Sequence, residues 1–387
     1  MKMLMKSRTI GKLQGFSLIE LLIAMALGLI ILAAATQFFK NGMDSSRLVS
    51  QRSEMQDNVR AAINMIAKDV SMAGSGIPSG GVTLPYGTGN NGLSLFAKDT
   101  NLKTWLNGNT YPTGNFGTPP VAVDNYMYGL IPGPAAGMEK GGPGVIPATN
   151  QSADAITSVY ADFTFPLNQY TATFNAAGNG ITLAIPNPVP VPALPAFING
   201  AGGIQVGDLI LLSNSVGSAI GEVTNVTANS ITFANLDPLN INQSGINDLA
   251  GGGGNIEYLC NKVSPCTGAP APTAWRVYAV TYFVEVPAVA GQLPKLMRQV
   301  DGHPAQPVAD DIISLKFTYD VCDSTINAAT CAGISNLFGS GYTPNQVHKV
   351  NISVMGQSLL SYGNKAQNMQ LTTSVATRDL TFTNLYD

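Results

Sequence analysis

Few side chains in this sequence stand at spacings that could do chemistry. Two histidines, His303 and His348, are too few for a histidine-based active site or metal cluster. The string GTGNNG at 87–92 matches G-x-G-x-x-G literally, but no strand pattern precedes it and no helix pattern comes after it, so no phosphate-binding reading attaches to it. Asp320, Asp323 and Asn327 lie close together without the spacing of an EF-hand, and read as solvated loop side chains rather than calcium ligands. No G-x-S-x-G, P-loop or H-E-x-x-H motif occurs. The chain is therefore not expected to be an enzyme or to hold a cofactor or metal. One carboxylate is out of place. Glu20 sits inside Phe16–Phe39, a run that is otherwise apolar except for Ser17, Thr36 and Gln37.

That run has 24 residues, and at about 1.5 Å each it reaches roughly 36 Å as a helix, enough to cross a hydrocarbon core of about 30 Å. Lys2, Lys6, Arg8 and Lys12 precede it, with no acidic residue in 1–15. Such a bias keeps the N-terminus cytoplasmic and sends the remainder outward. A secretory signal peptide would end in a small-residue cleavage site and a polar start, whereas here the apolar run passes into a helical pattern at Lys40. A carboxylate within such a span costs on the order of 2.5–3.5 kcal/mol at the centre and less near an end. A plain anchor gives no reason for it.

Glu20 comes four residues after Phe16, and Phe16 comes directly after Gly15 and the basic leader. This G-F-S-L-I-E-L-L-I string resembles the class III signal of type IV pilins. The resemblance implies cleavage by a prepilin peptidase between Gly15 and Phe16, N-methylation of Phe16, and a role for Glu20 in assembly. The physics is intelligible by itself. Cleavage leaves a positive amine at the end of an apolar helix, and a neighbouring subunit's Glu20 would neutralise it where an unpaired charge is costly.

Beyond the apolar run, Leu48, Met55, Val59, Ala62, Ile63, Ile66, Val70 and Ala73 fall mostly at helical spacing, and Arg52, Asp57, Arg60, Lys68 and Asp69 are read on other faces. Gly74, Gly76 and Pro78 stop the pattern. The organisation predicted is a leader at 1–15, a transmembrane and assembly helix at 16–39, its amphipathic continuation at 40–73, a Gly/Pro/Asn-rich loop region at 74–153 and a β-rich head at 154–387. Pro186–Pro195 reads as an extended, polyproline-like connection. Strands are expected at 155–163, 181–185, 206–212, 219–226, 230–233, 276–286, 296–300, 312–319, 347–355 and 371–382, with 206–233 forming a meander. The fold class is α+β: a long N-terminal helix packed on a large, mainly antiparallel β head.

The pieces LPKLMRQVDG (293–302), VADDIISLKFTYD (308–320), VHKVNISVMGQS (347–358) and LTTSVATRDLTFTNLYD (371–387), with D-V-S-M-A-G at 69–74, resemble the PilW-type minor pilins. That resemblance implies a protein held first in the inner membrane with its head in the periplasm. It then helps prime a type IV pilus and is incorporated at the tip, with other minor pilins, the major pilin and a tip adhesin as partners.

Four cysteines suit an oxidising compartment. Three pairings are possible, and the local one, Cys260–Cys266 with Cys322–Cys331, is expected because each pair brackets a short turn-rich loop. Charge is sparse, 11% of residues against 45% apolar, with a net −3. The leader holds four of the 20 basic residues and none of the 23 acidic ones, so the chain beyond residue 15 carries −7. That balance disfavours nucleic acid as a partner. Two rival roles share these features. A minor pseudopilin of type II secretion has the same N-terminal signal, though its J-type members have smaller heads. A pilus-borne adhesion module would use the 74–200 region.

Overall fold

The computed structural model describes residues 17–83, 126–133, 153–200, 202–234, 237, 239, 241–242, 256–260, 266, 268–285, 292–321, 332–335, 337, 342–362, 365–377 and 380. One helix, α1, runs over Leu18–Ser71. It ends where the sequence removes side-chain constraint: Met72–Gly76 form turns, and Gly74 and Gly76 adopt φ of 86° and 71°. By its contacts the chain divides into two compact units, Met1–Ser53 and Glu54–Asp387.

In the first unit the helix exposes its apolar side chains all round: Leu18, Ile19, Leu21, Leu22, Ile23 and Leu29 are all more than half exposed. A helix apolar on every face has no solvated side, and this one is long and apolar enough to cross a membrane.

In the second unit the same helix becomes one-sided. Met55, Val59, Ala62, Ile63, Ile66 and Val70 are buried at steps of one, three or four, a single stripe. The stripe meets two antiparallel sheets in one core with Tyr160, Tyr282, Leu315, Phe317, Ile352 and Val354. The fold is thus α+β, with the C-terminal part of a long helix packed on antiparallel strands.

The larger sheet has seven strands built around Thr273–Glu285. Ala155–Ala161 pairs along one edge of that strand, and Leu130–Gly133 lies outside it. The other edge changes partner partway. Leu209–Ser213 takes Thr273–Val277, and Lys295–Val300 takes Val280–Glu285, with Gln306–Ala309 beyond it. Ser218–Glu222 closes a hairpin with Leu209–Ser213. The C-terminal sheet runs Ala332–Ile334, Ile312–Val321, Val347–Tyr362 and Lys365–Ala376. A smaller one joins Thr171–Phe174, Gly180–Ala184, Ser230–Thr232 and Asn225–Val226 around a separate apolar cluster.

The structure corrects several expectations. Residues 206–233 do not form one meander: after Glu222 the chain leaves the large sheet, and 225–232 joins the small one. The Glu222 N–H goes to the Asn242 side chain instead of continuing a ladder. Among the described residues the last strand is Lys365–Ala376, six residues earlier in its start than the 371–382 expected, and it ends before Thr377, whose hydroxyl donates to the Val347 carbonyl. Val347–Tyr362 is longer than expected, and Leu130–Gly133 is a buried strand inside the stretch read as loop. Pro132 is tolerated there because that strand lies at the sheet's edge. The Pro186–Pro195 connection carries cis bonds at Asn187–Pro188 and Val191–Pro192. The GTGNNG string lies outside the described residues.

Candidate functional site

The N-terminal end of α1 positions Glu20. Ser17 precedes the first helical residue, and its hydroxyl oxygen accepts the Glu20 N–H at 3.2 Å. Reciprocally, the Glu20 carboxylate Oε2 accepts the Ser17 N–H at 3.0 Å. This is a capping box, in which two backbone donors without helical partners are satisfied by side chains three residues apart. The carboxylate also lies at the positive end of the helix dipole. The S-x-x-E spacing of Ser17 and Glu20 is a sequence signal for this cap, one that the pilin motif hides because Ser17 carries no role within it. Glu20 is exposed, while Gly15 and Phe16 lie outside the described residues. The box therefore holds Glu20 by a local bond without burying it, and leaves its second oxygen, Oε1, available to a cation.

At the other end of α1 a buried carboxylate fastens helix to sheet. Asp69 is 4% exposed, not on a solvated face as its charge suggests. Its Oδ1 accepts from the Tyr160 hydroxyl at 3.0 Å; its Oδ2 accepts from the Tyr282 hydroxyl at 2.5 Å and from Arg298 Nε at 3.0 Å. The three donors stand on three neighbouring strands of the large sheet. Burial, then the Asp69 charge, pushes both phenols well above their ordinary pKa, so they stay neutral donors. For Arg298, burial works against the charge, but Asp69 and Tyr282 outweigh it and raise its pKa. Asp69 lies three residues after Ile66 and precedes Val70, so helical geometry sets it beside the apolar stripe.

A second buried pair, Asp162 with Arg276, ties the end of Ala155–Ala161 to Thr273–Glu285. Arg276 also donates to the Gly203 carbonyl at 3.0 Å and lies over the Phe165 ring. Burial would raise the Asp162 pKa, but hydrogen bonds from Thr164 and the guanidinium lower it overall. Burial also pushes the neighbouring Tyr278 phenol up to about 12.

A third cluster lies where the central strand changes partner. Asp301, fully buried with φ of 50°, accepts the Ala279 N–H through Oδ1 at 2.6 Å. Its backbone N–H returns a bond to the Ala279 carbonyl at 3.0 Å. A side chain thus supplies the ladder bond missing between the two partner strands. Glu222, also fully buried, accepts the Leu239 N–H through Oε2 at 2.8 Å, and its Oε1 lies against Gly302, where an added Cβ would sit 2.1 Å away. Burial, reinforced by Asp237 and Asp301, raises the Glu222 pKa to about 9, and burial raises that of Asp301 well above normal. His303 Nε2 lies 2.8 Å from Asp208 at the same turn. The cluster joins strands.

Cys260 and Cys266 are disulfide-bonded; Cys322 and Cys331 lie outside the described residues. Asp320 bonds Lys349 Nζ at 2.6 Å and Asn351 Nδ2 at 3.0 Å, while Asp323 and Asn327 lie outside the described residues. Among the described residues no group of three or more His, Cys, Asp or Glu is arranged to hold a metal.

An apolar, membrane-length helix that begins at a capped glutamate and ends in an antiparallel β unit is the layout of a type IV pilin-like chain. The comparisons agree at the N-terminus. Residues 12–36 match the family model described as the prokaryotic N-terminal methylation motif. The pilin-like protein PilA3 of Thermus thermophilus is 37% identical over 62 residues, which cover 16% of this chain and 27% of that protein's length. No solved structure matches.

Proposed function

We propose that this chain is a PilW-type minor pilin that helps prime a type IV pilus and is incorporated at its tip. The observation that carries the reading is Glu20, four residues after Phe16 inside the matched methylation motif, at the capped start of an apolar helix. In this reading prepilin peptidase cuts between Gly15 and Phe16, Phe16 is N-methylated, and Glu20 turns from its own Ser17 N–H to a neighbour's terminal amine. Before assembly the apolar helix anchors the chain in the inner membrane with the head in the periplasm, where the Cys260–Cys266 bridge would persist. The size of the β unit favours a tip position over repeated packing along a filament. Its partners would be prepilin peptidase, other minor pilins, the major pilin and a tip adhesin, and it would have no catalytic role.

The test is capture of the chain from native membranes after mild cross-linking, with mass spectrometry of the retained proteins. Other minor pilins and a tip adhesin are the expected result. Recovery of secretion pseudopilins would move the protein to a type II secretion system and overturn the pilus assignment.

A further inference from the structure

A cavity of about 350 Å³ opens in the second unit where two strands meet two turns. Lys295–Val300 and Gln306–Ala309 pair with Arg298 opposite Gln306. Both side chains line the cavity, with Val300 two residues along from Arg298 and Val308 at the bulge in the same pair. Gln205, His303 and Pro304 supply the rest of the lining from two turns. Those turns are tied together. The Gly302 N–H donates to the Gly207 carbonyl at 3.0 Å, and His303 Nε2 lies 2.8 Å from Asp208 Oδ1. Gly207 has φ of 96°, and a Cβ there would come within 3.2 Å of the His303 ring, so glycine lets the two turns close on each other.

Within this cavity Arg298 is engaged through one nitrogen. Its Nε donates to Asp69 Oδ2 at 3.0 Å and to the Tyr282 hydroxyl at 3.1 Å, while Nη1 and Nη2 have no partner among the described residues. A single bond to Asp69 could be made by lysine as well; the planar fork is what the ion pair leaves unused. None of the described lining residues is acidic, although the chain beyond residue 15 carries −7. Asp69, which offsets the guanidinium charge, is buried and also takes two phenol donors. The glutamines are barely used by the fold. Gln306 Nε2 reaches the Pro304 carbonyl only at 3.5 Å, and the Gln205 side-chain amide has no partner among the described residues.

We propose that this cavity binds a sugar acid, with its carboxylate on the Nη1–Nη2 fork of Arg298 and its hydroxyl groups on the amides of Gln205 and Gln306. The inference goes beyond the proposed function and does not rest on it. Each part of the ligand follows from one part of the lining. A guanidinium fork matches the two oxygens of a carboxylate. A hydroxyl both donates and accepts, and so does a carboxamide, so the glutamines suit an alcohol better than a second charge. Val300, Val308 and Pro304 offer apolar surface to the C–H face of a ring. His303 Nε2 is taken by Asp208, which leaves Nδ1 for a further hydroxyl. Arg298 is already fixed through Nε, so little side-chain freedom is lost when the ligand binds. The volume stands at the lower end of the range for small-molecule sites, which fits a monosaccharide.

The experiment is saturation-transfer difference NMR on the full chain in a zwitterionic detergent, with D-glucuronate, D-glucose and glutarate as probes. Glucuronate is expected to bind about tenfold more tightly than either of the others, since glucose lacks the carboxylate and glutarate lacks the hydroxyls. Arg298→Lys keeps the charge and one bond to Asp69 but loses the fork, and should weaken glucuronate about tenfold. Because Arg298 also fastens helix to sheet, a second variant is read beside it. Gln205→Ala combined with Gln306→Ala changes only exposed side chains and should weaken glucuronate about fivefold with the melting temperature unchanged. No saturable glucuronate signal at tens of millimolar would overturn the proposal, as would binding that neither variant weakens. Equal affinity for glucose would remove the carboxylate from recognition and overturn it too. Equal affinity for glutarate would overturn the sugar assignment and make the cavity a seat for an acidic side chain.

Discussion

Arg298 Nε stands 3.0 Å from Asp69 Oδ2, an ion pair that joins the last turn of α1 to the large sheet from inside the core. Asp69 has 5% of its side chain exposed and Arg298 has 29%, so the pair is screened on one side only. Removing the carboxylate leaves a part-buried guanidinium and two buried phenols short of an acceptor. Asp69→Ala should cost about 3 kcal/mol, whereas Tyr160→Phe, which deletes one donor, should cost about 1 kcal/mol. Urea unfolding of the detergent-solubilised chain, monitored by tryptophan fluorescence, measures both. Equal and small losses would mean that the apolar stripe alone holds the helix.

Glu222 sets a pH dependence of unusual sign. Its folded-state pKa of about 9 lies far above the ordinary glutamate value of 4.5. Between those limits the folded state holds a proton that the unfolded chain releases, so stability is full below the unfolded value and declines as pH rises towards 9. Asp301 acts in the same direction. Glu222→Gln keeps the shape and the acceptor for Leu239 while removing the ionisation. It should match the parent chain near pH 5 and be the more stable of the two by at least about 1 kcal/mol at pH 9. Parallel unfolding curves at pH 5, 7 and 9 test this, and identical slopes for the two proteins would refute it.

The capping box separates two roles of neighbouring residues. Ser17→Ala removes one cap bond, a loss of about 1 kcal/mol confined to the first turn. It should leave processing and piliation intact. Glu20→Val removes the carboxylate that the assembly reading requires. Mass spectrometry of the mature N-terminus should show cleavage between Gly15 and Phe16 in both variants, and electron microscopy should show pili only for Ser17→Ala. Normal piliation in a strain carrying only Glu20→Val would sink the assembly role.

The legibility of the sequence divides along physical lines. The stripe from Met55 to Val70 and strands such as Ile312–Val321 come from periodicity, since apolar side chains at 3.6 or 2 spacing have one economical burial. Lys365–Ala376 starts earlier than expected because its outward amides, Asn368 and Gln370, mask the alternation. Asp69, Glu222 and Asp301 are hidden for a different reason. Each is a buried acid whose partners come from distant segments, and local sequence reads such a residue as solvent-facing. Glu20 is legible because its peculiarity is local: a carboxylate in an apolar run at a fixed distance from Gly15 and Phe16.

The Cys260–Cys266 bridge closes a loop of sequence separation six, and its surroundings say what it holds. The Cys266 N–H donates to the Ala176 carbonyl at 2.9 Å, and a Cβ added at Gly178 would meet Cys260 Sγ at 3.5 Å. The bridge therefore packs on the turn between Thr171–Phe174 and Gly180–Ala184, two strands of the small sheet. Leu259, next to Cys260, is fully buried in that sheet's own apolar cluster. A short loop gains least from closure, so replacing both cysteines by serine should cost about 2 kcal/mol. The loss should also be local. Hydrogen–deuterium exchange is expected to speed up at 171–184 and 256–260 and to stay unchanged at 312–321 and 347–358, which belong to a different sheet. Uniform acceleration over both sheets would instead mean that the second unit unfolds as one cooperative body, with the bridge acting on all of it.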